Sequence, residues 1–275
     1  MTPVEVKEGS GPLILSQPHG GTFIPEEVLK RLNARGRALA DTDWHIGRLY
    51  DGLVSEATVV RATFSRYVID ANRPPGGESL YPGQATTGLC PATDFTGAPI
   101  YQKGGAPKED EVEARRRAFH APYHAAIGAQ IARLKARHGV VLLYDCHSIR
   151  SALPYLFEGR LPVFNIGTYD GRACAPQLGA AARAICRATE GYDHVLDGRF
   201  KGGWTIRHYG APQDGVHAIQ MELAQRAYME ETPPYAYRAD LAARLRPHLK
   251  ALLEALVACT LNLAPRSKDL KRAKP

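Results

Sequence analysis

The chain has 275 residues, 44% of them apolar and 23% charged, with a formal net charge of +7. That balance excludes a disordered tail and a disulfide miniprotein, and no apolar run approaches the roughly 20 residues that a membrane-crossing helix needs. The opening stretch, Met1 to Gly21, has no basic region followed by an apolar core, so no secretory signal is expected.

Part of the charge is local. Arg266, Lys268, Lys271, Arg272 and Lys274 against Asp269 put +4 on the last ten residues and leave +3 on the rest. Such an end reads as a solvated tail rather than a nucleic-acid arm. Cys90, Cys146, Cys174, Cys186 and Cys259 are odd in number, widely spaced and form no Cys-x-x-Cys. Reduced thiols in the cytoplasm are therefore expected, not a disulfide framework or a thiolate metal site.

In chain order, Leu13–Pro18 reads as a short buried strand entering a Gly-Gly turn, and Glu26–Leu39 and Asp43–Glu56 read as helices. Thr58–Phe64 and Tyr67–Ala71 are β-rich. Asn72 to Pro107 is studded with Pro and Gly, more irregular chain than a connection needs, which points to a functional loop or lid. Lys108–His138 is a long helical pattern, acidic at its start and basic at its end, with Pro122 expected to kink or split it. Val140–Cys146 is the clearest central strand. Ala173–Thr189 reads as a helix, Gly215–Leu223 as a strand and Tyr237–Leu263 as the closing helix. No repeat or linker divides the chain. One α/β domain is expected over residues 1–265, followed by the basic tail 266–275.

Four places carry polar groups that a core does not need. The strand VVLLYDCHS ends in Asp145, Cys146, His147 and Ser148, and ligands of open α/β sheets bind beyond such strand ends. Alternation puts Asp145 and His147 on one face and Cys146 on the other; a hydrogen-bonded turn is the alternative. His19 follows a short strand at Gly20-Gly21, which would let the backbone approach a ligand, although a lone His is commonly structural. In DTDWH, Asp41, Thr42 or Asp43 would serve as a helix N-cap, but one cap does not explain two aspartates. Glu222 alternates with Ile219, Met221 and Leu223 and so faces away from them; a solvent-facing carboxylate is the alternative reading. His19, Asp43 and His147 together match the ligand count of a catalytic zinc site with one open position, and Glu222 would be a carboxylate base.

Other signals carry less. His120 and His124 have helical metal-pair spacing but lack the Glu of a zincin motif, and read as structural or supporting residues. No Gly-x-Ser-x-Gly elbow is present, Gly202-Gly203 extends to no nucleotide-binding pattern, and Cys146 as a nucleophile is turned away from His147.

The ordered set SQPHGGTFIP, DTDWHIGRLY, FSRYVIDANRP, YPGQATTGLCP, LYDCHS, FNIGT, FKGGWTIRHYGAP and GVHAIQMELAQRAYM, from Ser16 to Met229, resembles the N-formylglutamate amidohydrolase (deformylase) family. That resemblance implies a zinc-carboxypeptidase-like fold with a mixed, mostly parallel sheet flanked by helices. It implies one Zn2+ per chain, or another divalent ion, on His19, Asp43 and His147. Carboxypeptidases begin their metal site with His-x-x-Glu; here Thr22 stands three residues after His19, so Asp43, or less readily Asp41, supplies the carboxylate. Asp70 of Asp-Ala-Asn-Arg would orient His19, with Asp145 beside His147. Asn72 and Arg73 would hold a substrate carboxylate, with Arg66, Arg150 and Arg207 as further cations. Glu222 would be the general base.

The implied reaction is hydrolysis of N-formyl-L-glutamate to L-glutamate and formate, the last step of a histidine degradation route. A zinc amidohydrolase of another N-acyl amino acid, or a non-enzymatic basic binding protein, are the alternatives. The expected partner is a small dicarboxylate, with neither nucleic acid nor membrane, on a monomer or small homo-oligomer.

Overall fold

The computed structural model describes residues 2–80 and 82–265, so the expected tail 266–275 lies outside the described residues. Seven strands form one sheet: β1 (Val4–Lys7), β2 (Leu13–Gln17), β3 (Thr58–Ala62), β4 (Val141–Ile149), β5 (Phe164–Gly167), β6 (His194–Leu196) and β7 (Val216–Ala224). Their order is β1-β3-β2-β4-β7-β5-β6. Pairing is parallel between β2 and β3, β2 and β4, β4 and β7, and β5 and β6. It is antiparallel between β1 and β3 and between β5 and β7. The expected mixed, mostly parallel sheet is what forms.

Helices are α1 (Glu26–Leu29), α2 (Ala34–Arg37), α3 (Ile46–Tyr50), α4 (Glu109–Arg115), α5 (Ala121–His138), α6 (Pro176–Ala188), α7 (Trp204–Tyr209) and α8 (Ala239–Asn262). Among the described residues no helix is long and apolar enough to cross a membrane.

Both faces of β4 and β7 are covered, as a near-continuous apolar run requires. Leu142, Tyr144 and Cys146 of β4 and Ile219, Met221 and Leu223 of β7 pack with Leu178 and Ala182 of α6 and Leu245, Leu249 and Leu253 of α8. Each fully buried leucine contributes about 1.5–3 kcal/mol. On the other face, Val141 and Leu143 of β4 and Val216 and Ala218 of β7 meet Tyr123, Ile127 and Leu134 of α5 and Ile206 of α7. Period-2 alternation then fixes where the polar residues go. Ser16, Asp145, His147, Gln220 and Glu222 continue this second face toward the carboxyl ends of β2, β4 and β7.

Several expected elements come out differently. Glu26–Leu39 is not one helix, because the chain at Ile100 crosses it. Asn33 N donates to Ile100 O, the Asn33 side chain caps α2 through Gly36 N, and a Cβ on Gly36 would stand 2.3 Å from Ile100 O. Asp43–Glu56 shrinks to α3, which starts only after His45 at φ +61° and is followed by Gly52 at φ +70°. Neither Asp41 nor Asp43 therefore caps it. Tyr67–Ala71 is no strand; the chain turns there, with Val68 N donating to Ser65 O at 2.9 Å.

The long helical pattern is continuous but changes register. Arg116–His120 is a π-helical turn directly before Pro122. Pro122 has no N–H for the carbonyl four residues back and its ring would crowd it, and the wider turn absorbs that conflict. β4 runs on through its polar end to Ile149. The short elements β1, β5, β6 and α7 carry too little pattern to stand out in the sequence.

Candidate metal centre

His19 leaves the end of β2 at the Gly20-Gly21 turn. Gly21 is required there by the chain itself: a Cβ would stand 2.3 Å from Thr63 C and 2.5 Å from Phe64 O. The close approach is thus to the neighbouring backbone, where a ligand had been expected. Asp43 N donates to His19 O at 3.1 Å, so the loop before α3 is fastened to the same strand end. His147 comes from β4, and Glu222 lies directly opposite it in the β4–β7 register.

Three side chains converge. His19 Nδ1 and His147 Nδ1 are 3.2 Å apart, Asp43 Oδ2 is 3.3 Å from His147 Nδ1, and it is 3.8 Å from His19 Nδ1. Ligand bonds of about 2.0–2.1 Å in a tetrahedral zinc site place neighbouring donors roughly 3.3–3.4 Å apart. All three residues are buried. The far nitrogen of each imidazole donates to a carboxylate, His19 Nε2 to Asp70 Oδ1 at 2.7 Å and His147 Nε2 to Asp145 Oδ2 at 2.8 Å. That turns each Nδ1 lone pair toward the common point, the arrangement metal-binding histidines use. Asp145 is itself held by Ser16 Oγ at 2.6 Å. Asp43 Oδ2 accepts from Ser148 N, while Asp43 Oδ1 is buried with no hydrogen-bond partner.

The charge balance agrees. Asp43, Asp70, Asp145 and Glu222 are buried beside two guanidiniums, Arg66 and Arg73. With neutral imidazoles and Glu222 protonated, the three aspartates against two guanidiniums leave one negative charge, so the site draws a cation. Burial, and then Arg66, lower the His19 pKa and favour the neutral ligand form. His147 is driven the other way: burial lowers its pKa, but Asp145 and the other carboxylates outweigh it and raise it well above the ordinary value. An ion there would displace that proton. Burial raises the Glu222 pKa to about 8, with His147 opposing and Asp43 reinforcing.

One cleft holds His19, His147 and Glu222 together with Arg66, Asn72 and Arg73. Arg66 Nη2 bonds Asp70 Oδ2 at 2.7 Å, and its guanidinium lies over the Phe95 ring. Arg73 sits 3.8 Å from Asp70 Oδ2 and bonds Thr87. Asn72 is tied into the frame. Its Nδ2 donates to Asp145 Oδ2 at 3.2 Å and its Oδ1 accepts from Thr205 N at 2.8 Å. Gly203 packs so closely on it that a Cβ would stand 2.3 Å from Asn72 Nδ2. These bonds hold Asn72 in the frame while it also lines the cleft.

Arg150 and Arg207 do not line this cleft. Arg150 Nη2 pairs with Asp41 Oδ1 at 3.0 Å, and Asp41 also accepts from Tyr67 Oη and Phe95 N. Asp41 is thus committed away from the histidines. Arg207 bonds Gly202 O and Leu80 O.

His120 and His124 support the Asp70–Arg73 turn from behind. His124 Nε2 donates to Ala71 O at 2.8 Å and His120 Nε2 to Arg73 O at 3.0 Å. Burial, and then His120, lower the His124 pKa to about 3, which keeps it a neutral donor. Sequence reasoning missed Gln220, whose Oε1 accepts from Gly203 N at 2.7 Å, although its position two before Glu222 puts it on the same strand face. It also missed Arg199, Phe200, Thr86 and Thr87, which sit on irregular loops without a periodic signal.

The description N-formylglutamate amidohydrolase belongs to the family profile that matches residues 11–229. An N-formylglutamate deformylase of Pseudomonas aeruginosa is 52% identical over 254 residues, covering 92% of this chain and 95% of the relative. One of Pseudomonas putida is 48% identical over 252 residues, covering 91% and 94%. The crystal structure of an N-formylglutamate amidohydrolase from Ralstonia eutropha JMP134 aligns over the whole of both chains with a TM-score of 0.73 at 27% identity.

Proposed function

This chain belongs to the N-formylglutamate amidohydrolase family, and from that premise we propose that it hydrolyses N-formyl-L-glutamate to L-glutamate and formate. His19, Asp43 and His147 would hold a single divalent ion, with zinc the first choice for two imidazoles and a carboxylate. The observation that carries this reading is the triangle of donor atoms, 3.2, 3.3 and 3.8 Å on its edges, with Glu222 opposite His147 on the adjacent strand.

A divalent ion held by these three residues would supply an acidified water and polarisation of the formyl carbonyl. Glu222 accepts the water proton and returns it to the leaving amine. Burial raises its proton affinity in the ion-free site, and a cation beside it would favour the ionised, proton-accepting form. Asp70 and Asp145 keep the two imidazoles in the ligand tautomer. Arg66, beside Asp43, faces the cleft where an oxyanion would develop. Arg73 would take the substrate α-carboxylate; the turn that carries it also carries Asp70, which bonds His19, and so lies beside the candidate ion site. The reaction suits the final step of a histidine degradation route. The five free cysteines favour a reducing, cytoplasmic setting, and residues 1–265 would be the catalytic domain.

Formate release from a panel of N-formyl and N-acetyl amino acids, before and after chelation and zinc return, tests the proposal. N-formylglutamate should lead the panel and chelation should abolish turnover. A preference for N-acetylaspartate, or undiminished turnover in the chelated protein, would reject it.

A further inference from the structure

The substrate proposed above carries two carboxylates, and its second one stands two methylene groups beyond the carbon that bears the amide. A site selective for it needs a second cation farther from the ion than Arg73, across an apolar span. Among the described residues three guanidiniums line the cleft: Arg66, Arg73 and Arg199. Arg66 is buried and committed to Asp70 and Asp43. Arg73 borders the same Asp70. Arg199 differs in place and surroundings. Like Arg73 it is partly buried, but it lies on the loop between β6 and α7. Its Nε donates to Leu156 O at 2.9 Å and its Nη2 to Ala85 O at 3.1 Å.

Those two bonds join three loops at the wall of the cleft and hold the guanidinium. Next to it, Phe200 and Leu156 give the cleft an apolar surface suited to two methylene groups. A planar guanidinium held on a stapled loop in the cleft wall matches a carboxylate in shape and charge, and its preorganisation lowers the cost of ordering it on binding.

We propose that Arg199 is the specificity-determining residue that reads the side-chain carboxylate of the substrate, leaving the α-carboxylate to Arg73. The assignment rests on the amidohydrolase reading above. It makes N-formylglutamine the informative competitor, because that compound has the shape of N-formylglutamate without its second charge.

The test compares kcat/KM for the two compounds in zinc-loaded wild type, Arg199→Met and Arg199→Lys, with a thermal melt of each. In Arg199→Met, N-formylglutamate should lose about 10–100-fold, mostly in KM, the range expected for a charge-assisted hydrogen bond. N-formylglutamine should change little, so the preference collapses. Arg199→Lys should keep part of the preference, since it retains the charge without the fork. Equal falls for both compounds would overturn the assignment and leave Arg199 as a loop staple. Should Arg199→Met fail to fold, the same comparison in Arg199→Lys decides: a selective loss on the charged compound supports the assignment and an equal loss overturns it. Wild-type protein that releases formate from neither compound overturns the amidohydrolase reading and this assignment with it. Wild-type activity with an unmoved preference in Arg199→Met overturns the assignment alone.

Discussion

Asp70→Asn is the most informative single change near the ion site, because it alters one charge and almost no volume. Asp70 Oδ1 accepts from His19 Nε2 at 2.7 Å and from Asn72 N at 2.9 Å, while Oδ2 accepts from Arg66 Nη2 at 2.7 Å. An asparagine offers one oxygen and one amide, so whichever way it turns, a donor meets either His19 or Arg66. Loss of a carboxylate behind a metal-binding imidazole weakens metal affinity by about 10–100-fold. Leaving a buried guanidinium short of its partner costs about 3–5 kcal/mol. At about 2 °C per kcal/mol for a chain of this size, the metal-free protein should melt about 6–10 °C lower.

A zinc competition titration against a chromogenic chelator reads the first effect, and a thermal scan of chelated protein reads the second. The pH dependence has a fixed sign. Burial raises the Asp70 pKa, but Arg73, His19 and Arg66 outweigh it and hold the carboxyl well below its usual range. Its contribution is therefore present above an unfolded value of about 3.9 and is lost as the pH falls through the lower folded value. The melting deficit of Asp70→Asn should hold from neutral pH down to about pH 4 and narrow only below it. Metal affinity equal to wild type would refute the claim that Asp70 sets the ligand tautomer of His19.

Glu222→Gln should abolish formate release yet stabilise the metal-free protein. The folded pKa of Glu222, about 8, lies above its unfolded value, so its contribution is complete below about pH 4.3 and is lost as the pH rises through 8. The melting temperature of the Gln variant should gain on wild type between those limits; a constant difference across the range would contradict the burial argument. Arg73→Ala should raise KM for N-formylglutamate by about 10-fold or more, whereas Arg150→Ala, whose parent side chain is paired with Asp41 outside the cleft, should leave KM unchanged. Equal KM effects in steady-state assays would undo the distinction between the two arginines.

β4 was legible from its apolar run and β7 from its alternation, which put Asp145 beside His147 and turned Glu222 from the apolar set. Convergence of His19 on His147 was not legible from spacing. Their rings meet across 128 residues, and only the order of strands in the sheet brings them together. The helix expected from Glu26 failed because a distant segment at Ile100 outcompetes local propensity. Which arginines line the cleft was illegible for a related reason: Arg66 and Arg73 do, Arg150 and Arg207 do not. A guanidinium is defined by its partner, and neither the Arg150–Asp41 pair nor the bonds from Arg199 to Leu156 and Ala85 leave a trace in linear order.

The position of β7 in the sheet has a consequence for biogenesis. The three donors are complete in the chain at His147, whereas Glu222 follows 75 residues later, as 222 minus 147, on the strand that flanks β4. A nascent or truncated chain could thus gather every ligand while lacking its proton acceptor and one whole side of its central strand. Long-range pairing of this kind forms slowly, so on the proposed reading an ion bound by such a chain would not by itself make it hydrolytic.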